Sequence, residues 1–148
     1  MHSRSASIKI ILKIWAAALL MNTLIGTAVL TDLYAYADTV GLVALLGFIY
    51  ATVFTLPFIA LLFVSLRSLV RMDFSGKKLF GFFFTAGLLL TMASFTLFFL
   101  MAGMGILPVW SLLIVAICSS ALAMLLEYRP VIQLRKDEVE AEYNRFLE

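Results

Sequence analysis

The chain has 148 residues, of which 64% are hydrophobic and only 14% are charged, with a formal net charge of +2. A soluble domain usually carries about 25% charged residues, so most of this apolar surface requires lipid as its solvent. The small net charge, with basic residues at the ends of apolar runs, excludes a nucleic-acid-binding surface. The single cysteine, Cys118, cannot form an intramolecular disulfide.

Long uncharged runs predict transmembrane helices, each of which needs roughly 20 apolar residues. The uncharged run 79–126 would extend about 72 Å as one helix, at about 1.5 Å per residue, and must therefore fold back. Gly103-Met104-Gly105 and Pro108 supply the helix-breaking turn. The sequence predicts an all-α four-helix transmembrane bundle, residues 1–128, followed by a short amphipathic tail helix in 129–148. The predicted spans are about 8–31, 39–67, 78–102 and 107–128.

Basic residues flank the predicted helices at one side of the membrane only. They are Arg4, Lys9 and Lys13 before the first span, Arg67, Arg71, Lys77 and Lys78 between the second and third, and Arg129, Arg135, Lys136 and Arg145 after the fourth. The other two connections contain neither Lys nor Arg. The positive-inside rule therefore predicts a multi-pass protein with both termini cytoplasmic, in the plasma (inner) membrane of a bacterium. The four cations at 67, 71, 77 and 78 are expected to contact anionic lipid headgroups, at about 1 kcal/mol each.

An alternative concerns the N-terminal segment. Ala35-Tyr36-Ala37 before Asp38 resembles the cleavage site of a secretory signal. However, the uncharged run 14–30 is longer than the about 7–15 residues usual for such a segment. Cleavage would leave three spans with the same orientation.

Within the predicted spans, the long uncharged runs contain no ionisable residue. This argues against a proton-coupled exporter or a voltage sensor, both of which need charges at membrane depth. Asn22 is the strongest polar group there, and it forms a candidate intramembrane polar site with Tyr50, Thr52 and Thr85. The alternative role of Asn22 is helix packing or self-association, because small residues at helical spacing let helices approach closely. The predicted packing positions are Ala18, Gly26, Gly47, Ala51, Ala116 and Ser120.

The tail after Pro130 carries apolar residues at spacings of seven, four and three: Ile132, Val139, Tyr143 and Phe146. This spacing predicts an amphipathic helix with one apolar stripe. Its acidic residues disfavour binding to an anionic membrane surface. We therefore expect the stripe to dock on the protein's own bundle or on a partner protein.

The sequence offers no catalytic, cofactor-binding or metal-binding constellation, and Asp32 and Asp38 suit loop or capping roles. Two functions remain. The first is a non-catalytic membrane subunit or interaction module that contacts another copy, or another membrane or cytoplasmic protein, through the tail. The second is a channel or carrier for an uncharged or lipid-like solute. A membrane enzyme ranks third.

Overall fold

A computed structural model describes residues 2–34, 40–72, 74–101 and 110–147, and it is all-α. The helices are α1 (His2–Tyr34), α2 (Val40–Arg71), α3 (Gly76–Met101), α4 (Trp110–Leu126) and α5 (Tyr128–Leu147). The predicted spans correspond to α1–α4 and the predicted tail helix to α5, which confirms the all-α prediction. The predicted turn at Gly103 and Pro108, and the segment 35–38 with its A-x-A motif, lie outside the described residues.

Length and hydropathy identify three or four candidate membrane spans. The segments Ser5–Val29, Ala51–Arg71 and Gly76–Phe98 are each long and apolar enough to cross a membrane. Trp110–Leu126 and Tyr128–Asn144 meet the same test only as a pair, bent by 49°. The outward faces carry large apolar side chains, such as Leu24 and Leu89, that water would not solvate. Composition and helix length therefore suggest a multi-pass membrane protein.

Helices α1 to α4 pack in a ring in which each helix contacts its two neighbours, with α1 next to both α2 and α4. Successive helices run antiparallel, as the cross-helix contacts of α3 with α4 show: Gly87 lies beside Met124, and Thr91 bonds to Ser120. We call the end of the bundle where α2 ends and α3 begins the basic end, because Lys77 and Lys78 lie there. Helix α5 packs across this end against α3, α1 and α2.

The tightly packed core lies in the half of the bundle nearest the basic end. Leu66, Leu79 and Phe83 are fully buried there, and Val131 and Leu134 of α5 join the same cluster. The side chains in this cluster leave little room between them, so dispersion contacts hold the helices together where lipid competes for apolar surface. Helix α5 is therefore part of the core and not an appended tail.

Three contacts fix α5 on the bundle. The Arg135 guanidinium donates a hydrogen bond of 2.8 Å to the carbonyl of Val70, near the last turn of α2. The rings of Phe80 and Tyr128 meet edge to face, with centroids 4.7 Å apart. Ile132 packs so closely on Gly76 that a Cβ there would lie 3.0 Å from its Cγ2 atom. These contacts join α5 to both α2 and α3.

The bend between α4 and α5 follows from Pro130. Proline has no amide hydrogen, so it cannot continue the α-helical hydrogen bonds of α4, but it is tolerated in the first turn of a new helix. The chain breaks at Glu127, whose carbonyl accepts a hydrogen bond of 3.1 Å from the Val131 amide. The bend turns α5 across the basic end of the bundle.

Only part of the apolar stripe predicted for the tail helix is packed against the bundle in the structure. Ile132 packs against α3, whereas Val139 and Tyr143 are 45% and 63% exposed. The side chain of Phe146 lies outside the described residues. The face that docks on the bundle comprises Val131, Leu134 and Arg135 together with Ile132.

Candidate functional site

A cavity of about 320 Å³ lies between α1, α2, α3 and α4. On α1 its wall runs from Ile11 to Thr27, which at about 1.5 Å per residue is a length of about 24 Å. This is most of the about 30 Å thickness of a bilayer's hydrocarbon core. The cavity is therefore long and narrow, and it follows the axis of the bundle.

Small residues on the inward faces of the helices create this space. Five of the six predicted packing positions line the cavity: Ala18, Gly26, Ala51, Ala116 and Ser120. The sixth, Gly47, lies in α2, but its surroundings are outside the described part of the structure. A Cβ added at Gly26 would meet Leu112 at 3.7 Å, an ordinary contact distance. A methyl group would therefore fit at Gly26, and close helix packing through the small residues stays a prediction.

Most polar groups on the wall already bond within the protein. The Trp15 indole Nε1 donates to Thr55 Oγ1 at 3.0 Å, and this hydroxyl donates to the Ala51 carbonyl at 2.7 Å. Across the cavity, the Thr91 hydroxyl lies 3.1 Å from Ser120 Oγ. These side-chain bonds connect α1 to α2 and α3 to α4.

Asn22 differs from these residues. It lines the cavity and is half-buried, and its amide makes no hydrogen bond within the part of the chain that the structure describes. A side-chain amide offers two donors and one acceptor oxygen. Thr27, five residues further along α1, also lines the cavity. Asn22 is therefore the group on the wall that is best placed to bond an occupant.

The wall is electrically neutral. None of the described residues that line the cavity is Asp, Glu, Lys, Arg or His. An ion buried there would lose its hydration without gaining a charged partner, at a cost of several kcal/mol or more. The cavity thus suits an uncharged, mainly apolar molecule.

The cavity ends at the packed core of the basic end. Ile11, Leu62 and Met124 form its floor, and Ile11 and Met124 belong to the buried core cluster that α5 completes. Ile11 and Met124 are only 2% and 1% exposed. In this conformation, side chains fill the space between the cavity and the basic end.

The predicted polar site of four residues is not assembled in the structure. Thr52 and Thr85 do not line the cavity; their hydroxyls donate to the Phe48 and Gly81 carbonyls of their own helices. The side chain of Tyr50 lies outside the described residues. Of the three members whose side chains the structure describes, Asn22 is the one on the cavity wall.

The four predicted headgroup contacts lie at the basic end. Arg71, Lys77 and Lys78 are exposed, and Arg67 is half-buried. Their exposure leaves the guanidinium and ammonium groups accessible from outside the bundle, as headgroup binding requires. Headgroup binding itself stays a prediction.

Sequence reasoning missed the hydrogen-bonded pairs of the wall. Trp15 would be assigned to the membrane interface by its position near Lys13, but its indole points to Thr55 in the bundle. The available signal was weak: Thr55, Thr91 and Ser120 are polar residues in otherwise apolar runs. Among the described residues, no group of three or more His, Cys, Asp or Glu could hold a metal ion.

No protein-family model matches this chain, and no curated protein or solved structure matches it significantly.

Proposed function

We propose that this membrane protein binds an uncharged, lipid-like molecule in the cavity between α1 and α4, as part of a carrier or channel activity. The cavity itself is the observation that carries the proposal. Its volume of about 320 Å³ lies within the usual range of about 300–1,000 Å³ for ligand pockets. It is roughly twice an apolar cavity of about 150 Å³ that holds benzene. Its neutral wall favours apolar occupants over ions.

We further propose four membrane crossings, with α4 as the fourth and both termini cytoplasmic. The distribution of Lys and Arg supports this orientation. The basic end would then face the cytoplasm, and the packed floor of the cavity would separate its occupant from that side. An occupant would exchange toward the opposite leaflet. Transport across the membrane would additionally require the side chains of the floor to move.

Photolabelling tests the binding proposal. The protein in lipid nanodiscs is irradiated with an alkyl diazirine, and the labelled residues are identified by mass spectrometry. We expect labels on cavity residues such as Phe95, in addition to the lipid-facing surface. Ala116→Phe, which places a large ring in the cavity, should reduce the cavity labels only.

The matched control is Ala93→Phe on α3, where Ala93 is exposed and outside the cavity wall. It should leave cavity labelling unchanged. Thermal unfolding of each variant verifies that it is folded. Labelling confined to lipid-facing residues in the wild type would refute the proposal.

A second candidate is the interaction module, in which the tail contacts another copy or another protein. A shallow groove on α5, lined by Val139 and Tyr143 with Phe74 beside them, favours it. Val139→Ser with Tyr143→Ser should then lower the oligomeric mass measured by light scattering in detergent. An unchanged mass would count against self-association through this surface.

A further inference from the structure

We infer that the occupant of the cavity is a single-chain amphiphile whose one uncharged polar group, a hydroxyl or carbonyl, is bound by Asn22, with its chain directed toward the basic end. This inference rests on the proposed function and adds the chemical class and the orientation of the ligand. It follows from where hydrogen bonds are already made on the wall, from the position of Asn22 along it, and from the shape of the space.

Two polar side chains on the wall, Asn22 and Thr23, make no hydrogen bond with the described residues; the Thr23 hydroxyl oxygen is fully buried, so Asn22 is the one that an occupant can reach. The indole of Trp15 and the hydroxyls of Thr55 and Thr91 are engaged within the protein. The Asn22 amide has no partner among the described residues. In an apolar environment an unpaired polar group is energetically unfavourable. A ligand hydroxyl or carbonyl would remove that cost, whereas an alkane would not.

The position of Asn22 leaves space for a polar group. Gly26 on α1 lies opposite Leu112 on α4. Because the two helices run antiparallel, Asn22, one turn closer to the basic end on α1, lies level with Ala116, one turn closer to that end on α4. Ala116 is a small, buried residue on the cavity wall. The part of the wall that α4 contributes at this level therefore carries only a methyl group.

The space between Asn22 and the floor suits an alkyl chain. From Asn22 to Ile11 the wall extends about 16 Å, at about 1.5 Å per residue. This is roughly the length of a zigzag chain of a dozen carbons with bonds of about 1.5 Å. Ile14, Ile59 and Leu62 make this section apolar. A volume of about 320 Å³ spread over the whole wall fits one chain and not two.

Charge on the polar group would prevent binding. With no cationic side chain among the described residues of the wall, a carboxylate would be buried without a partner. The ligand class is therefore a neutral alcohol, amide or ester with one chain. It can come from the bilayer, as a single-chain neutral lipid, or from a dissolved solute.

Competition against the alkyl diazirine label tests this inference. The competitors are 1-dodecanol, dodecane and dodecanoate at pH 9, with concentrations expressed as mole fraction in the nanodisc. We expect dodecanol to displace the cavity label at least tenfold more strongly than dodecane, and dodecanoate to show no advantage over dodecane. In Asn22→Leu, dodecanol should compete no better than dodecane, while dodecane competes as in the wild type.

Thr85→Leu is the matched control, because Thr85 is an exposed polar residue outside the cavity; it should preserve the preference for the alcohol. Asn22→Ser keeps a hydroxyl and should retain part of the preference, and it serves if the leucine variant does not fold. An unchanged alcohol preference in both Asn22 variants would overturn the inference while leaving the proposed binding function intact. If none of the competitors displaces a cavity label, the proposed function itself fails.

Native mass spectrometry of the extracted protein distinguishes the two sources of ligand. A co-purified neutral single-chain lipid would identify the bilayer as the source. Dodecanol binding to protein that carries no lipid adduct would identify a dissolved solute. A co-purified two-chain phospholipid that dodecanol displaces would contradict the single-chain inference.

Discussion

Gly87 offers the sharpest test of the packing described above. A methyl group added to Gly87 would overlap with the Met124 sulfur and would lie 3.0 Å from its Cε atom and 3.6 Å from Leu62 Cδ1. Met124 is 1% exposed and lines the cavity, so its flexible end must shift into the cavity. Overpacking of a filled core typically costs about 1–3 kcal/mol, and because Met124 can shift we expect the low end of that range, about 1 kcal/mol. We therefore expect Gly87→Ala to destabilise the bundle relative to a glycine without this contact.

Gly81→Ala is that reference. Gly81 lies in the same helix, and a Cβ there meets nothing within 4 Å. Replacing glycine by alanine raises helix propensity equally at both positions, by up to about 1 kcal/mol. The difference between the two changes in stability therefore reports the contact with Met124. At about 2–4 °C per kcal/mol, the Tm of Gly87→Ala should be lower than that of Gly81→Ala by about 2–4 °C.

The assay is thermal unfolding in nanodiscs followed by circular dichroism. A Met124→Ala background removes the contact, so there Gly87→Ala and Gly81→Ala should shift Tm equally. Equal shifts in the wild-type background would refute the reasoning, because they would mean that Met124 does not obstruct a methyl group at Gly87.

The same thermal assay addresses the attachment of α5: Arg135→Ala removes a charged hydrogen bond and should cost about 1.5–3 kcal/mol, whereas Arg129→Ala, at an exposed position, should have little effect. A comparable loss in both variants would contradict the assigned contact with α2. Trp15→Phe and Thr55→Val should show a coupling of about 0.6 kcal/mol, and at most about 1.7, in a double-mutant cycle; additivity would argue against their hydrogen bond. Reporter fusions to either terminus should be active only with reporters that function in the cytoplasm, and activity of an exported reporter at the C-terminus would contradict the proposed orientation.

Much of the fold could be predicted because lipid imposes simple constraints on length and charge. The predicted third span, 78–102, differs from α3 (Gly76–Met101) by only a residue or two at each end. Helix α1 (His2–Tyr34) extends beyond the predicted first span, 8–31, at both ends. Its first turns are polar, and a helix that continues into water leaves no hydropathy signal.

The docking face of α5 could not be predicted from periodicity. The spacing of Ile132, Val139 and Tyr143 gave the most regular apolar stripe, yet Val131 and Leu134 are the buried residues. The bend that Pro130 imposes decides which side of α5 meets the bundle, and spacing within α5 carries no information about that angle.

The cavity could be anticipated only in part. Asn22 stands out in the sequence as a polar residue in an apolar run. The pairing of Trp15 with Thr55, and of Thr91 with Ser120, depends on which helix faces meet. Helices that are apolar on all sides give no indication of those faces, because lipid and protein neighbours are equally apolar. Side-chain fit determines them instead.

The hydrogen bond from Arg135 ends on a main-chain oxygen of α2 and not on a side chain. Every amino acid supplies that carbonyl, so an exchange of Val70 for another apolar residue of similar size keeps the acceptor in place. The donor has no such redundancy, since only arginine has its length and its planar, branched cation. In saturation mutagenesis, position 70 should consequently tolerate many substitutions, limited mainly by side-chain size. Position 135 should tolerate few.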